Sequence, residues 1–380
     1  MTVLITPIVV ALAWLAAQTP ASIETFKQRG DAAREANHLA EAAGVYREAV
    51  RLHPRWTEGH WYLGTISYEL GRYDVCRSEL AQVVSIQTKN GAAWAFKGLC
   101  GFHLGRYGPA LDDLTRAQTL GLGDDPDFPA VVGYHRAILL MRAGKFETAV
   151  EEIRGLVRGG NTGPTIVEAL GLSVLRLAKV PSELTPQERD MAQLSGQAAI
   201  FAYQRMSEAA ANAYAQLVGR YPEAPNVHYA YGLYLVHERP DEALEQFKLE
   251  LQRSPDHVLA RLQIVQELIR RGDFNGAMPY AVEAARLAPR NFVARRELGR
   301  VKLHAGDIPG AITELETARR LEPSSPSVRF NLARAYLRAG REVDAKRERG
   351  EFTRLQEIQQ KQRGAASGAA GEEPEEQPPQ

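Results

Sequence analysis

Cysteine is nearly absent from this chain: Cys76 and Cys100 are the only two in 380 residues. Two such residues make neither a disulfide framework nor a metal-ligand spacing. The plain reading of each is a small buried hydrophobe, the common state of free cysteine. A bond between them stays open, because they fall in adjacent repeats and spacing alone fixes no Cα geometry. An excess of charge of one sign is also missing, with 46 Lys and Arg against 46 Asp and Glu. That balance removes the basic surplus expected where nucleic acid is the main partner, so any electrostatic recognition must be local. Enzyme signatures are lacking as well: there is no Walker-type phosphate loop and no Gly-x-Ser-x-Gly elbow. No catalytic residue, cofactor or metal is therefore expected.

Long apolar runs are equally scarce. Val3 to Ala17 is nearly all apolar and uncharged, shorter than the roughly 20 residues a spanning helix requires. Gln18, Thr19, Pro20, Ala21 and Ser22 follow, small or polar residues suited to a signal-peptidase site. The segment 1–21 reads as a secretory signal cut after Ala17 or Ala21, with an uncleaved anchor as the alternative, although Lys and Arg are missing ahead of it. No cysteine follows the run, which leaves a lipoprotein anchor unsupported. The expected location is exported, periplasmic or associated with the cell envelope, with membrane contact only through an uncleaved leader.

What the chain has in abundance is repetition. Gly30, Gly64 and Gly98 are 34 residues apart, and Ala42, Cys76 and Ala110 keep the same step. Toward the other end Ala243, Ala277, Ala311 and Ala345 advance by 34 each, and Pro255, Pro289 and Pro323 by 34. A step of this length with small residues at fixed offsets signals paired helices stacked in an array. One unit serves as template. Leu259, Leu262, Val265 and Ile269 have helical apolar spacing, Gly272 ends that helix, and Ala277, Ala281 and Ala284 mark one face of a second helix stopped before Pro289. The recurring glycine costs about 1 kcal/mol of helix propensity against alanine, so its recurrence points to close helix packing or a turn.

Trp94, Gly98, Gly105, Tyr107, Ala110, Leu114 and Ala117 form one unit; Phe26, Gly30, Ala42, Tyr46, Ala49 and Pro54 another; Leu63, Gly64, Gly71, Tyr73, Cys76 and Leu80 a third. In these residues the chain resembles the tetratricopeptide repeat (TPR) family, over roughly Ile23 to Gln359. The resemblance implies an all-α fold: an α-solenoid of about ten tandem helix-turn-helix repeats forming a right-handed superhelix. Three units are expected over 23–124, degenerate repeats and an irregular joint over 125–190, and five units with a capping helix over 191–359. In the joint, Thr165 to Leu177 reads as a first helix without a clear partner, while Met191–Arg205 and Ser207–Gly219 read as a pair. The stretch 364–380 carries Glu372, Glu373, Glu375 and Glu376 and no large apolar side chain, as expected of a disordered, solvated tail.

Binding is the remaining route to function. In the family resembled, the first helix of each pair lines a concave groove, at the second, fifth, ninth, twelfth and thirteenth steps. Carried onto this sequence, that rule implies Trp61, Tyr68, Leu99, Phe102, His103, Tyr134, Ile138 and Met141 in the first half. In the second half it implies Arg270, Arg296, Arg300, His304, Arg334 and Arg338. A groove aromatic at one end and basic at the other would take protein or peptide segments, acidic ones at the basic end. The rival expectation is a structural accessory subunit of an envelope biogenesis or secretion complex that touches partners through its edges. The Lys and Asn clamp by which some family members hold a terminal carboxylate is not expected here, since Asp31 stands in the companion position to Lys27. His53, Glu58 and His60, split by Pro54, and His237 with Glu238 before Pro240, fit turns rather than metal sites.

Overall fold

The computed structural model describes residues 22–368, so the expected leader at 1–21 and the acidic stretch from 369 onward lie outside the described residues. Among these residues the regular structure is helical and no strand occurs. They divide into two compact units, meeting in sequence at Met206 and Ser207.

The first unit is a run of five helix pairs. They are α1 (Ile23–Glu35) with α2 (Leu39–Leu52), α3 (Thr57–Glu69) with α4 (Tyr73–Ile86), and α5 (Gly91–His103) with α6 (Tyr107–Leu120). Then come α7 (Phe128–Arg142) with α8 (Phe146–Arg158) and α9 (Pro164–Val174) with α10 (Pro186–Tyr203). The second unit opens on α11 (Ser207–Arg220), followed by α12 (Val227–Leu235) with α13 (Pro240–Arg253) and α14 (Val258–Arg270) with α15 (Phe274–Leu287). It closes with α16 (Phe292–His304) paired to α17 (Ile308–Leu321) and α18 (Pro326–Arg338) paired to α19 (Glu342–Gly368). His237 and Glu238 fall in the turn between α12 and α13, as their sequence setting implies.

The 34-residue glycine is a helix-contact position. A Cβ on Gly30 would lie 2.5 Å from the Tyr46 ring, on Gly64 2.8 Å from Leu80, on Gly98 2.7 Å from Leu114 and on Gly299 2.6 Å from Leu315. Each partner stands sixteen residues on, in the second helix of the same pair, and each is fully buried. Burying a leucine is worth about 1.5–3 kcal/mol, which exceeds the roughly 1 kcal/mol that glycine costs a helix. The two helices therefore close on a large side chain rather than on a gap.

The helix over Thr165–Leu177, partnerless in the sequence, has a partner: α9 packs antiparallel on α10, the helix expected to pair forward with Ser207–Gly219. Here backbone meets backbone. A Cβ on Gly171 would lie 1.8 Å from the Ala192 carbonyl oxygen, and one on Gly196 1.9 Å from that of Val167. Arg189 adds an ion pair to the buried Glu168 at 2.6 Å. The open question about the cysteines is also resolved, since Cys76 of α4 and Cys100 of α5 are bonded, with Cα atoms 6.3 Å apart and both side chains fully buried.

Prolines between pairs do more than stop helices. The His60 Nε2 faces the Pro54 carbonyl at 3.0 Å and its Nδ1 the Glu79 carboxylate at 2.6 Å. Arg295 repeats this with Pro289 (3.0 Å) and Glu314 (2.8 Å), and Arg329 with Pro323 (3.0 Å) and Glu348 (2.8 Å). One cationic side chain thus ties each turn to the following second helix. Because both acceptors of His60 can only accept, its doubly protonated ring is favoured, and the hydrogen bond to Glu79 raises its pKa despite burial.

Three outcomes follow for stability. Gly171→Ala should lower it by about 2 kcal/mol, because the α10 backbone must shift. Gly44→Ala, with open space around an exposed position inside α2, should raise it by about 0.5–1 kcal/mol. Opposite displacements of the urea midpoint check this. His60 contributes stability that is fully present below its unfolded pKa of about 6.5 and is lost as pH rises through the higher folded value. Stability measured across that window should fall in the native protein and stay flatter in Glu79→Gln.

Candidate interaction surfaces

In the first unit, side chains from α3, α5 and α7 meet in one continuous set of rings. Trp61 and Tyr68 of α3 both meet Phe96 of α5 edge-on, at 5.7 and 5.6 Å between centroids. Phe96 in turn stacks on Phe128 of α7 at 4.9 Å. Tyr73, the first residue of α4, stacks flat on His103 at 4.1 Å. Phe102 contacts His135 edge-on at 4.9 Å, and His135 contacts Tyr134 at 5.1 Å. Apart from the exposed His103, these rings are partly covered rather than buried. Partial desolvation lowers the pKa of both histidines, of His103 even though it is exposed, which favours their neutral form, and His135 keeps its Nδ1 proton on the Val131 carbonyl at 2.8 Å. Burial also pushes the Tyr134 hydroxyl up to about 12.

Leu99, Ile138 and Met141 do not belong to this surface. They are at most 1% exposed and lie in the cores between pairs. The register that places a side chain on a first helix says nothing of whether a neighbouring helix covers it. Phe96, Phe128, His135 and Tyr73, which the groove rule omits, join the rings instead. Tyr62 and Phe96 are 34 residues apart, one step beyond the positions the rule selects, and that recurrence was available in the sequence.

In the second unit the expected basic strip is narrower than its arginines suggest. Arg296 and Arg300 both grip Glu297, which is fully buried, at 2.5 and 2.7 Å. Arg270 and Arg271 likewise share the buried Glu267, at 2.7 and 2.6 Å. A buried carboxylate requires such compensation, so these arginines are largely committed within the fold. Arg334 and Arg338 differ, since neither pairs with a carboxylate among the described residues. Arg334 lies 5.8 Å from the Phe330 ring, and Arg338 donates to the Leu303 carbonyl at 2.5 Å. His304 stacks on Phe274 at 3.6 Å.

The residues with metal-like character are engaged elsewhere. Glu58 pairs with Lys27 at 2.8 Å, and His60 has Glu79 and Pro54. Asp31, beside Lys27, accepts from the Tyr46 hydroxyl at 2.8 Å. No cluster of three or more His, Cys, Asp or Glu side chains with metal-binding geometry occurs among the described residues.

No curated protein matches the sequence. Among solved structures, similarity extends to MamA 41-end from Desulfovibrio magneticus RS-1, at 17% identity over 44% of this chain and 98% of that one, with a TM-score of 0.40. MamA AMB-1 is 21% identical over 43% of this chain and 98% of that one, with a TM-score of 0.38. YrrB, described as a TPR protein with an unusual peptide-binding site, is 17% identical over 43% of this chain and 85% of that one, with a TM-score of 0.38. The tetratricopeptide repeat family profile matches residues 27–82, 196–258, 262–316 and 296–346, more than half of the chain and in both units. With its helix pairs and their 34-residue step, the chain belongs to the tetratricopeptide repeat family.

Proposed function

We propose that the protein is a non-enzymatic interaction scaffold that holds segments of partner proteins on the first-helix faces of its repeats. The observation that carries this reading is the run of partly exposed rings from Trp61 to Tyr134, which spans three successive pairs in the first unit. Aromatic side chains give large contact area at low entropic cost and are enriched at binding hot spots. Acidic partner segments fit the second unit, where Arg334 and Arg338 have no carboxylate partner among the described residues and can offer charge-assisted hydrogen bonds.

A second reading has its own support. Contact through an edge, as in an accessory subunit of a larger envelope complex, is favoured by Leu337 and Val343, which are 52% and 82% exposed at the α18–α19 turn. Export or envelope association is supported by the Cys76–Cys100 bond, because disulfides persist in oxidising compartments.

Peptide selection by phage display separates the two readings. Groove binding should enrich apolar and aromatic sequences that the Trp61→Ala/Phe96→Ala variant binds at least tenfold more weakly, since two hot-spot truncations cost well over about 1.4 kcal/mol. Enriched peptides whose affinity is indifferent to both substitutions, and lost in Val343→Glu, would establish the edge reading instead. For binding of acidic peptide, Arg334→Ala/Arg338→Ala should abolish most of the salt-sensitive affinity, whereas replacing Arg296 or Arg300 would also uncover the Glu297 charge and cost stability.

A further inference from the structure

His304 ends α16 with its imidazole lying flat on Phe274, 3.6 Å between centroids and 6° from parallel. Arg300 stands one turn earlier on the same helix, and α18 brings Arg334 and Arg338 from the next pair. Arg338 is pinned beside the imidazole by its bond to the carbonyl of Leu303. The other charges on elements packed against α16 are engaged. Arg270 on α14 and Arg271 just past its end share Glu267; ahead of α15, Asp273 caps the Gly276 amide; ahead of α17, Asp307 caps Gly310 and faces Lys302 at 3.5 Å. Glu297 is divided between Arg296 and Arg300. His304 therefore sits among positive charges, with no counter-charge of its own among the described residues. Although the residue is exposed, partial desolvation, then Arg334, Arg338 and Arg300, lower its pKa from the ordinary histidine value and so favour the neutral ring.

We propose that His304 is the proton-accepting member of this surface: an acidic peptide segment docking on Arg334 and Arg338 converts the His304 imidazole to imidazolium, so the segment binds with uptake of a proton. The inference rests on the reading that acidic segments dock there. A carboxylate placed against the two arginines cancels the repulsion that disfavours imidazolium and adds attraction in its place. The free energy that raises the histidine pKa in the complex is the same free energy by which the protonated protein binds more tightly. Affinity rises as pH falls through the pKa of the complex and levels off below that of the free protein. The Phe274 ring face holds the imidazole in place in either state and is compatible with its charge.

Fluorescence anisotropy with a fluorescein-labelled deca-glutamate peptide tests this at about pH 7.5 and about pH 5.8, where glutamate stays largely ionised. The native protein should bind roughly three- to tenfold more tightly at the lower pH, the limit being tenfold per unit of pKa displacement. His304→Gln should bind with the same affinity at both, and His304→Arg should bind tightly at both. Titration calorimetry in buffers of different ionisation enthalpy should register proton uptake by the native protein and none by either variant. A pH response that persists in His304→Gln, or is missing from the native protein, overturns the inference. In that case peptide binding that is lost in Arg334→Ala/Arg338→Ala leaves the acidic docking site standing. No binding at either pH overturns both.

Discussion

The distance of closest approach between the two helices of a pair governs the rest of this structure. Where Gly64 or Gly98 leaves room, Leu80 or Leu114 fills it completely, and the two axes come together over a large apolar side chain. In α9 and α10 the approach is closer still, with Gly171 and Gly196 letting backbone rest on backbone. Once a pair is closed in this way, its outer faces are apolar and its neighbour must cover them. That requirement produces the successive cores, and the rings left over on the first helices form the aromatic surface.

Charge compensation is the second constraint, and it sets which cations face outward. Asp113, Glu297 and Glu348 are buried, and each is held by at least two cationic side chains: Arg77 and Lys97, Arg296 and Arg300, and Arg319 and Arg329 with Arg347 at 3.6 Å. Removing one partner from such a group leaves an uncompensated buried charge, which is far more damaging than loss of a surface pair. Arginines that look equivalent along the sequence thus divide into those that hold the fold together and those, Arg334 and Arg338, that remain available. The same logic favours protonation of His60, with Glu79 as its counter-charge, and disfavours protonation of His304, which stands in a positive field.

The repeat was legible at the level of individual residues. Gly30, Gly64 and Gly98 and the alanines of the second helices mark where paired helices touch, and the prolines between pairs mark where one pair ends, wherever the step of 34 is kept. The candidate surfaces were legible only in part. Trp61, Tyr68, Phe102, His103 and Tyr134 do stand in one set of rings, but Leu99, Ile138 and Met141 occupy the same helical register and are core. Register is a property of one helix, whereas burial depends on the helix packed against it. Phe96 and Phe128, which link the rings, escape a rule that counts positions within one repeat because their contact is between repeats.

The sequence by itself determined the all-helical character, the pairing of helices at a fixed step and the family, because these follow from local periodicity repeated many times. Tertiary structure alone decided that α9 and α10 are partners, that Cys76 and Cys100 are bonded, and that Arg296 and Arg300 are committed to Glu297 while Arg334 and Arg338 are not. Each of those outcomes depends on what lies across a gap of a few ångströms between helices. Spacing along the chain carries no information about that distance until the helices are packed.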